Sequence, residues 1–154
     1  TCTPQGILCV AEQRPGDMRT MCGRDFLLVL ENIQDPGNLG TMLRTAEGAG
    51  VGGVIMSRDT VDVYNPKVIR STMGSVYRMP FLYVENLADA LLELADAGVN
   101  ICAAHLHGTQ AYTQADYRKK TAFLIGNEGN GLRGETARLA QPWVRIPKAG
   151  SVDT

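Results

Sequence analysis

Short apolar runs rich in valine, isoleucine and leucine alternate along this chain with longer stretches in which apolar residues recur at helical spacing. Continuous apolar runs are typical of strands buried on both faces, as in a parallel sheet covered by helices. Strands are predicted over residues 26–30, 53–57, 81–84, 99–104, 122–126 and 143–146. The pattern therefore predicts an α/β domain with a mostly parallel sheet and helices on both faces.

Helices are predicted between these strands, over residues 39–48, 66–73, 86–97 and 134–140. Asn65 and Asn86 precede two of them and are expected to cap their first turns. Gly98 is expected to end the third helix in a left-handed conformation. If the first helix begins near residue 39, Asn38 is its N-cap.

The segment before residue 24 has a different character from the rest. A short strand is expected around residues 7–10, and residues 12–23 are interpreted as a linker because they carry a proline and glycine turn signal. We therefore divide the chain into residues 1–24, a lead-in strand and linker, and residues 25–154, the main domain. The chain begins without methionine and stops after a strand-like segment, so both ends are expected to be cut.

The composition of the chain excludes some classes of function. The 154 residues include 44% hydrophobic residues, which suits one globular domain with a buried core. Fifteen Lys and Arg oppose sixteen Asp and Glu, a net charge of −1, so a polyanion must be held by a local patch. The four cysteines form no CxxC pair and are expected to be reduced, as in the cytoplasm. No apolar run approaches the roughly 20 residues of a membrane helix.

Ligands of open parallel sheets bind at the carboxyl ends of the strands, which directs attention to loops 32–40, 105–109 and 126–131. The last of these is a glycine-rich turn that contains Glu128. Its GxxGxG spacing differs from the GxGxxG of dinucleotide sites, and it lacks the Gly-Lys-Ser/Thr ending of a triphosphate loop. A cradle for another nucleotide-like ligand and a simple connecting turn both remain open.

Basic residues follow the first loop. Free amides at the start of the first helix could attract a phosphate, and Arg44 lies further along that helix, where it is either functional or an ordinary exposed cation. Lys67 and Arg70 share one face of the next helix, and Arg78 follows them. This trio is the best candidate for a basic patch, with an ordinary solvated helix face as the alternative.

Two other kinds of chemistry are not expected. His105 and His107 flank Leu106, but no third ligand falls at recognisable spacing, so no metal site is predicted. No GxSxG elbow exists, and none of the cysteines lies in a polar, glycine-flanked strand end, which disfavours hydrolase chemistry.

Several strings together resemble one family. They are residues 32–40 (NIQDPGNLG) with Arg44-Thr45-Ala46, residues 126–132 (GNEGNGL), residues 145–152 (RIPKAGSV), residues 65–75 (NPKVIRSTMGS) and residues 3–7 (TPQGI). In order and spacing they resemble motifs one, two and the start of three of the SpoU-type RNA 2′-O-ribose methyltransferases of the SPOUT class. The resemblance covers almost the whole chain.

The resemblance implies a trefoil-knotted domain that binds S-adenosylmethionine at the carboxyl end of the sheet and acts as a homodimer on RNA, without metal or membrane. It implies that Arg44 is catalytic, supported by Asn38 and Glu128. Arg44, Lys67 and Arg70 would bind RNA. The family's third motif continues beyond residue 154, so its end and the knot-closing helix are expected to be missing, together with an N-terminal RNA-binding domain.

Cofactor contacts carry over to backbone positions at Ala104, Gly126 and Ile146. The expected activity is methylation of a ribose 2′-hydroxyl in structured RNA, with ribosomal RNA slightly favoured over transfer RNA. The alternative is an RNA-binding or ribosome-assembly protein with the same fold and no catalysis. A dinucleotide oxidoreductase is a third hypothesis, which predicts binding of NAD.

Overall fold

The structure is a computed structural model that describes residues 6–7, 10, 12–13 and 16–147. Its helices are α1 (Met18–Cys22), α2 (Pro36–Gly48), α3 (Pro66–Thr72), α4 (Leu87–Asp96) and α5 (Gly134–Leu139). Its strands are β1 (Phe26–Leu30), β2 (Gly53–Ser57), β3 (Phe81–Val84), β4 (Asn100–Ala104), β5 (Gln110–Ala111), β6 (Thr121–Ile125) and β7 (Trp143–Arg145). Short 3₁₀ turns span Ser75–Tyr77 and Tyr112–Gln114.

The strands form one sheet in the order β3-β2-β1-β6-β4-β7-β5, and every pairing is parallel. Leu30 is in register with Met56 of β2 and with Ile125 of β6. Strands β1, β2 and β6 therefore end at about the same level, and the loops that follow them meet at one edge. The predicted α/β class with a parallel sheet is confirmed.

Helices cover both faces of the sheet. Along β1, Leu27 and Val29 belong to one buried cluster, whereas Leu28 and Leu30 belong to the other. The first cluster includes Met21 of α1 and three leucines of α4, Leu87, Leu91 and Leu94, and the second includes side chains of α2 and α3. Strands buried on both faces explain why their sequences read as unbroken apolar runs.

Three local predictions are confirmed. Asn65 accepts from the amide of Lys67 at 2.9 Å, and Asn86 accepts from the amide of Ala88 at 3.0 Å. Gly98 has φ +79°, in the left-handed region.

Two predictions outside the sheet centre need correction. The predicted linker contains α1, a five-residue helix whose N-cap Asp17 accepts from the amide of Thr20 at 2.8 Å. Its Met21 is fully buried in the core, so tertiary packing stabilises this helix. A helix of five residues is too short to be predicted from the spacing of its apolar residues. The predicted strand around residues 7–10 lies largely outside the described residues; Ile7 and Val10 are described and are not in a strand.

Helix α2 packs closely against α3 at Gly40. A Cβ at this position would lie 2.7 Å from Cβ of Ser71 and 2.8 Å from the carbonyl oxygen of Val68. The Ser71 hydroxyl donates in turn to the carbonyl of Pro36 at 3.3 Å. The missing side chain of Gly40 thus brings α3 against the start of α2. No helix in the described part of the chain is long and apolar enough to cross a bilayer.

Candidate functional site

The glycine-rich turn after β6 and the loop after β1 are joined by Glu128. Its carboxylate accepts from the backbone amides of Gln34 at 3.1 Å and Asp35 at 3.0 Å. It also accepts from the side-chain amide of Asn38 at 3.2 Å. The structure therefore brings together two of the three predicted catalytic residues at the carboxyl edge of the sheet.

The surroundings of Glu128 favour its ionised form. Partial burial raises the pKa of the Glu128 carboxyl, but hydrogen bonds from backbone amides, including those of Asp35 and Gln34, and from Asn38 outweigh burial. The net pKa lies below the ordinary value for Glu. At neutral pH, Glu128 is a charged brace between two loops.

Asn38 is not the N-cap of its helix. Asp35 takes that position and accepts from the amide of Asn38 at 2.7 Å, while Pro36 occupies the first helical position. The side chain of Asn38 is therefore left to bind Glu128. Of the amides at the helix start, that of Asn38 is already bound by Asp35 and is not free for a phosphate. The amides of Gln34 and Asp35, just before the helix, are bound by Glu128.

The turn from Gly126 to Gly131 is closed on itself. Asn127 and Gly131 exchange two backbone hydrogen bonds of 3.0 Å, and the Asn127 side chain accepts from the amides of Gly129 and Asn130 at 2.9 Å. A Cβ on Gly126 would lie 2.5 Å from the carbonyl oxygen of Gly131. The turn itself therefore requires glycine at position 126, independently of any contact of Gly126 with a cofactor.

Glu31 is a site residue that the sequence patterns did not reveal. It directly follows β1 and is fully buried. Its carboxylate accepts from the amide of Arg133 at 2.7 Å and from the hydroxyl of Thr136 at 2.9 Å, both at the start of α5. A buried carboxylate needs such partners, and Glu31 consequently fixes the far end of the turn that carries Glu128.

Arg133 extends this connection to the loop after β2. Nη2 of its guanidinium forms an ion pair with Asp59, and Nη1 lies 3.9 Å from Oε1 of Glu31. Asp59 accepts from the hydroxyl of Ser57 at 2.6 Å, and that hydroxyl accepts from the amide of Asn32 at 2.8 Å. The chain of contacts therefore links the ends of β1, β2 and β6.

Asn32 occupies the centre of this network in a left-handed conformation, with φ +55°. Its carbonyl accepts from the Asn127 side chain at 2.7 Å, and its side-chain oxygen accepts from Gln34 at 2.6 Å. Non-glycine residues adopt this conformation at a cost, and here the surrounding hydrogen bonds hold it in place. Asn32 therefore connects the loop after β1 to the turn after β6.

Arg44 lies on the same helix as Asn38, six residues and about 9 Å further along the axis. It follows Gly40 by four residues and precedes Glu47 by three, so the three share one face of α2. Gly40 packs on Ser71 of α3, and Glu47 binds Arg78. By helical spacing, Arg44 lies between these two contacts on the side of α2 nearer α3. It is exposed and, within the described residues, has no hydrogen-bond or ion-pair partner.

The predicted basic trio divides into two kinds of residue. Lys67 and Arg70 are exposed on α3, and their side chains have no partner in the described part of the chain. Arg78 instead makes a two-pronged contact with Glu47, at 2.6 and 3.1 Å. Its charge is therefore already compensated, and the basic patch consists of Arg44, Lys67 and Arg70.

The ends of β4 and β7 carry the other two predicted cofactor positions. Ala104 pairs with Val144, and Ile146 lies two residues further along. The loop after β4 packs closely on β7, since a Cβ on Gly108 would lie 2.7 Å from the backbone of Val144. Exposed apolar side chains line this edge, with Ile146 70% exposed. Strand-end backbone groups beside apolar surface suit a nucleoside-like ligand.

His105 belongs to the same edge but is engaged in packing. Its ring stacks on Trp143 with centroids 4.2 Å apart, and its Nδ1 accepts from the amide of His107 at 3.1 Å. Within the described residues, no three His, Cys, Asp or Glu side chains are grouped as metal ligands.

The described residues also enclose a depression of about 770 Å³ at the opposite edge of the sheet. Residues at the amino ends of β1 and β6 line it, among them Phe26, Tyr117 and Lys120. We place the functional site at the carboxyl edge because the braced loops and the starts of α2 and α5 converge there.

Residues 25–154 match the family model described as SpoU rRNA Methylase family. A Synechocystis protein named as an uncharacterized tRNA/rRNA methyltransferase is 39% identical over 82% of this chain and 46% of its own length. The 23S rRNA (guanosine-2′-O-)-methyltransferase RlmB of Bordetella pertussis is 36% identical over 97% of this chain and 64% of its own length. The chain thus spans less than two thirds of either relative.

A solved structure has a similar fold. The AdoMet-bound rRNA methyltransferase from Sinorhizobium meliloti superposes with a TM-score of 0.85 and 39% identity. The match covers 93% of this chain and 56% of that one.

Proposed function

The chain belongs to the SpoU rRNA methylase family, and we propose that it transfers a methyl group from S-adenosylmethionine to a ribose 2′-hydroxyl of structured RNA. The observation that carries this proposal is the meeting of Asn38 and Glu128 at 3.2 Å, on the helix that exposes Arg44. These are the residues to which the family resemblance assigns catalysis. The relatives named above support ribosomal RNA as the substrate.

S-adenosylmethionine fits the carboxyl edge between β4, β6 and β7. Backbone groups at Ala104, Gly126 and Ile146 would hold it, with the apolar surface around Ile146 available to its adenosine part. When bound, it supplies an electrophilic methyl group. The rigid turn after β6 would keep these contacts in place without reorganisation.

Arg44 would act on the RNA and not as a base. An arginine keeps its proton, since its pKa lies above about 12. Its guanidinium suits the orientation of a ribose hydroxyl and an adjoining phosphate, and that phosphate would take the hydroxyl proton. Lys67 and Arg70 would bind the flanking backbone, since both are exposed cations on the neighbouring helix.

The finer architecture is also part of the proposal. We propose a trefoil knot and a homodimer that completes the active site; both rest on the family resemblance. A cytoplasmic location is supported by Cys22 and Cys102, which are free thiols in the described part of the chain. The division of the chain at residue 24 is also a proposal, and residues 148–154 of the third motif lie outside the described residues.

A tritiated-methyl transfer assay tests the function. The full-length protein is incubated with labelled S-adenosylmethionine and bulk ribosomal or transfer RNA. We expect label in RNA with the wild type and a loss of at least about a hundredfold in Arg44→Ala, with cofactor binding by calorimetry retained. RNA binding without label would instead identify the non-catalytic assembly protein. Binding of NAD would identify the oxidoreductase.

A further inference from the structure

Two large apolar side chains are exposed beside the basic patch. Met73 and Tyr77 are each 74% exposed and lie four residues apart, between the end of α3 and the end of the following 3₁₀ turn. Exposed large apolar residues cost free energy in water, and two of them in one short segment form a contact surface. We call Met73 and Tyr77 the stacking surface.

The backbone holds these side chains outward. Met73 is the C-cap of α3 with φ +51°, and Gly74 follows with φ +87°. Ser75 and Val76, between the two exposed residues, are buried, at 0% and 5% exposure. The amide of Tyr77 donates to the carbonyl of Gly74 at 3.3 Å. Because Ser75 and Val76 are buried in the core, Met73 and Tyr77 lie on the solvent side of this segment.

Two exposed cations without a partner in the described part of the chain lie near the stacking surface in the fold. Arg70 lies on α3 three residues before Met73, and Arg44 lies on α2 three residues before Glu47. Glu47 binds Arg78, next to Tyr77, at 2.6 Å, so the charge of Arg78 is already paired. The surface therefore combines an aromatic and an apolar side chain with two free positive charges.

We propose that the stacking surface receives an unstacked base of the RNA substrate, while Arg44 and Arg70 bind the adjoining phosphates. This inference rests on the proposed function and adds the form of RNA it takes, a loop or bulge with an unpaired nucleotide. Proteins recognise such RNA by stacking bases on aromatic side chains, because the major groove of an RNA duplex is too narrow for side chains to read. The charges on the two arginines complement the backbone on either side of that base.

The test compares Tyr77→Ala, Tyr77→Phe and the control Tyr112→Ala in the full-length protein. Tyr112 is 46% exposed and follows β5, at the other end of the sheet. Binding of a hairpin RNA with an unpaired loop is measured by fluorescence anisotropy, and cofactor affinity by calorimetry. We expect Tyr77→Ala to weaken RNA binding about 5- to 100-fold, the range that loss of one stacked base gives. Tyr77→Phe and Tyr112→Ala should bind normally, and cofactor affinity should not change.

Unaltered RNA binding by Tyr77→Ala would overturn the inference, as would dissociation of a dimer by this variant in ultracentrifugation, which would identify a subunit contact. The thermal unfolding midpoint of Tyr77→Ala shows that the variant is folded. The two proposals fail separately. If the wild type methylates RNA and Tyr77→Ala behaves normally, only the stacking surface is wrong. If the wild type transfers no methyl group but RNA binding needs Tyr77, only the proposed reaction is wrong.

Discussion

Glu128 and Asn38 are joined by a hydrogen bond of 3.2 Å although 90 residues separate them in the chain. The same carboxylate oxygen accepts from the amide of Asp35 at 3.0 Å. One side chain therefore fixes the start of α2, the helix of Arg44, against the turn after β6. The two candidate catalytic residues therefore meet only in the folded chain, and the role of Glu128 in holding the two loops together can be tested.

Glu128→Gln should reduce methyl transfer by about tenfold or more, because a charge-assisted contact with backbone amides is replaced by an amide that also presents donors to them. The measurement is kcat and KM for the cofactor under saturating RNA. Glu93→Gln, an exposed position on the outer side of α4, is the matched control and should behave as the wild type. Equal loss in both variants would contradict a specific bracing role.

The lowered pKa of Glu128 predicts a particular dependence of stability on pH. A carboxyl whose pKa is lower in the folded than in the unfolded state stabilises the fold above its unfolded pKa, about 4.3. That contribution is lost as the pH falls through the folded pKa. Urea unfolding of the wild type and Glu128→Gln should differ by a constant amount from pH 8 to pH 6 and converge in more acidic solution. A difference that grows on acidification would contradict this account.

Glu31→Ala should lower the free energy of unfolding by about 2–5 kcal/mol, since each buried donor left without its acceptor costs about 1–3 kcal/mol. The amide of Arg133 and the hydroxyl of Thr136 would lose their acceptor. Glu85→Ala removes an exposed ion pair of 3.5 Å with Arg58 and should cost less than about 1 kcal/mol. Urea denaturation of both variants measures the contrast, and comparable losses would show that burial of Glu31 does not matter.

Two glycines of α2 should respond in opposite directions to substitution by alanine. Gly40→Ala should destabilise the protein by about 1–3 kcal/mol, because its methyl group would displace α3 at Ser71. Gly48→Ala meets no atom within 4 Å and should stabilise by up to about 1 kcal/mol through helix propensity. Thermal unfolding of both variants decides the matter; tolerance of Gly40→Ala would mean that the two helices are not held in contact.

The sequence predicts what local patterns control. Three strand ranges, 26–30, 53–57 and 81–84, match the structure because each is a continuous apolar run ended by polar residues. Asn65 and Asn86 are correct caps because a cap acts within its own first turn. The sheet edge on which ligand loops converge follows from the parallel arrangement.

Contacts between segments that are distant in the chain could not be predicted from these local patterns. Glu31 appears in the sequence as an ordinary polar residue after a strand, and its partner Arg133 lies 102 residues away. Asn38 and Asp35 are both good N-cap residues, and Pro36 at the first helical position favours Asp35. The contact of the Asn38 side chain with Glu128, 90 residues away, could not be predicted locally. Helix α1 is stabilised because Met21 enters the core. Tertiary contacts therefore decide the roles of Glu31, Asn38 and Met21.

The central claim is best tested by the chemical identity of the product. RNA treated with the full-length protein and S-adenosylmethionine is digested to nucleosides and analysed by mass spectrometry. We predict one 2′-O-methylated nucleoside with the wild type and its loss in Arg44→Ala, with the fold of that variant intact by circular dichroism. A methyl group on a base, or the same ribose methylation in Arg44→Ala, would contradict the account.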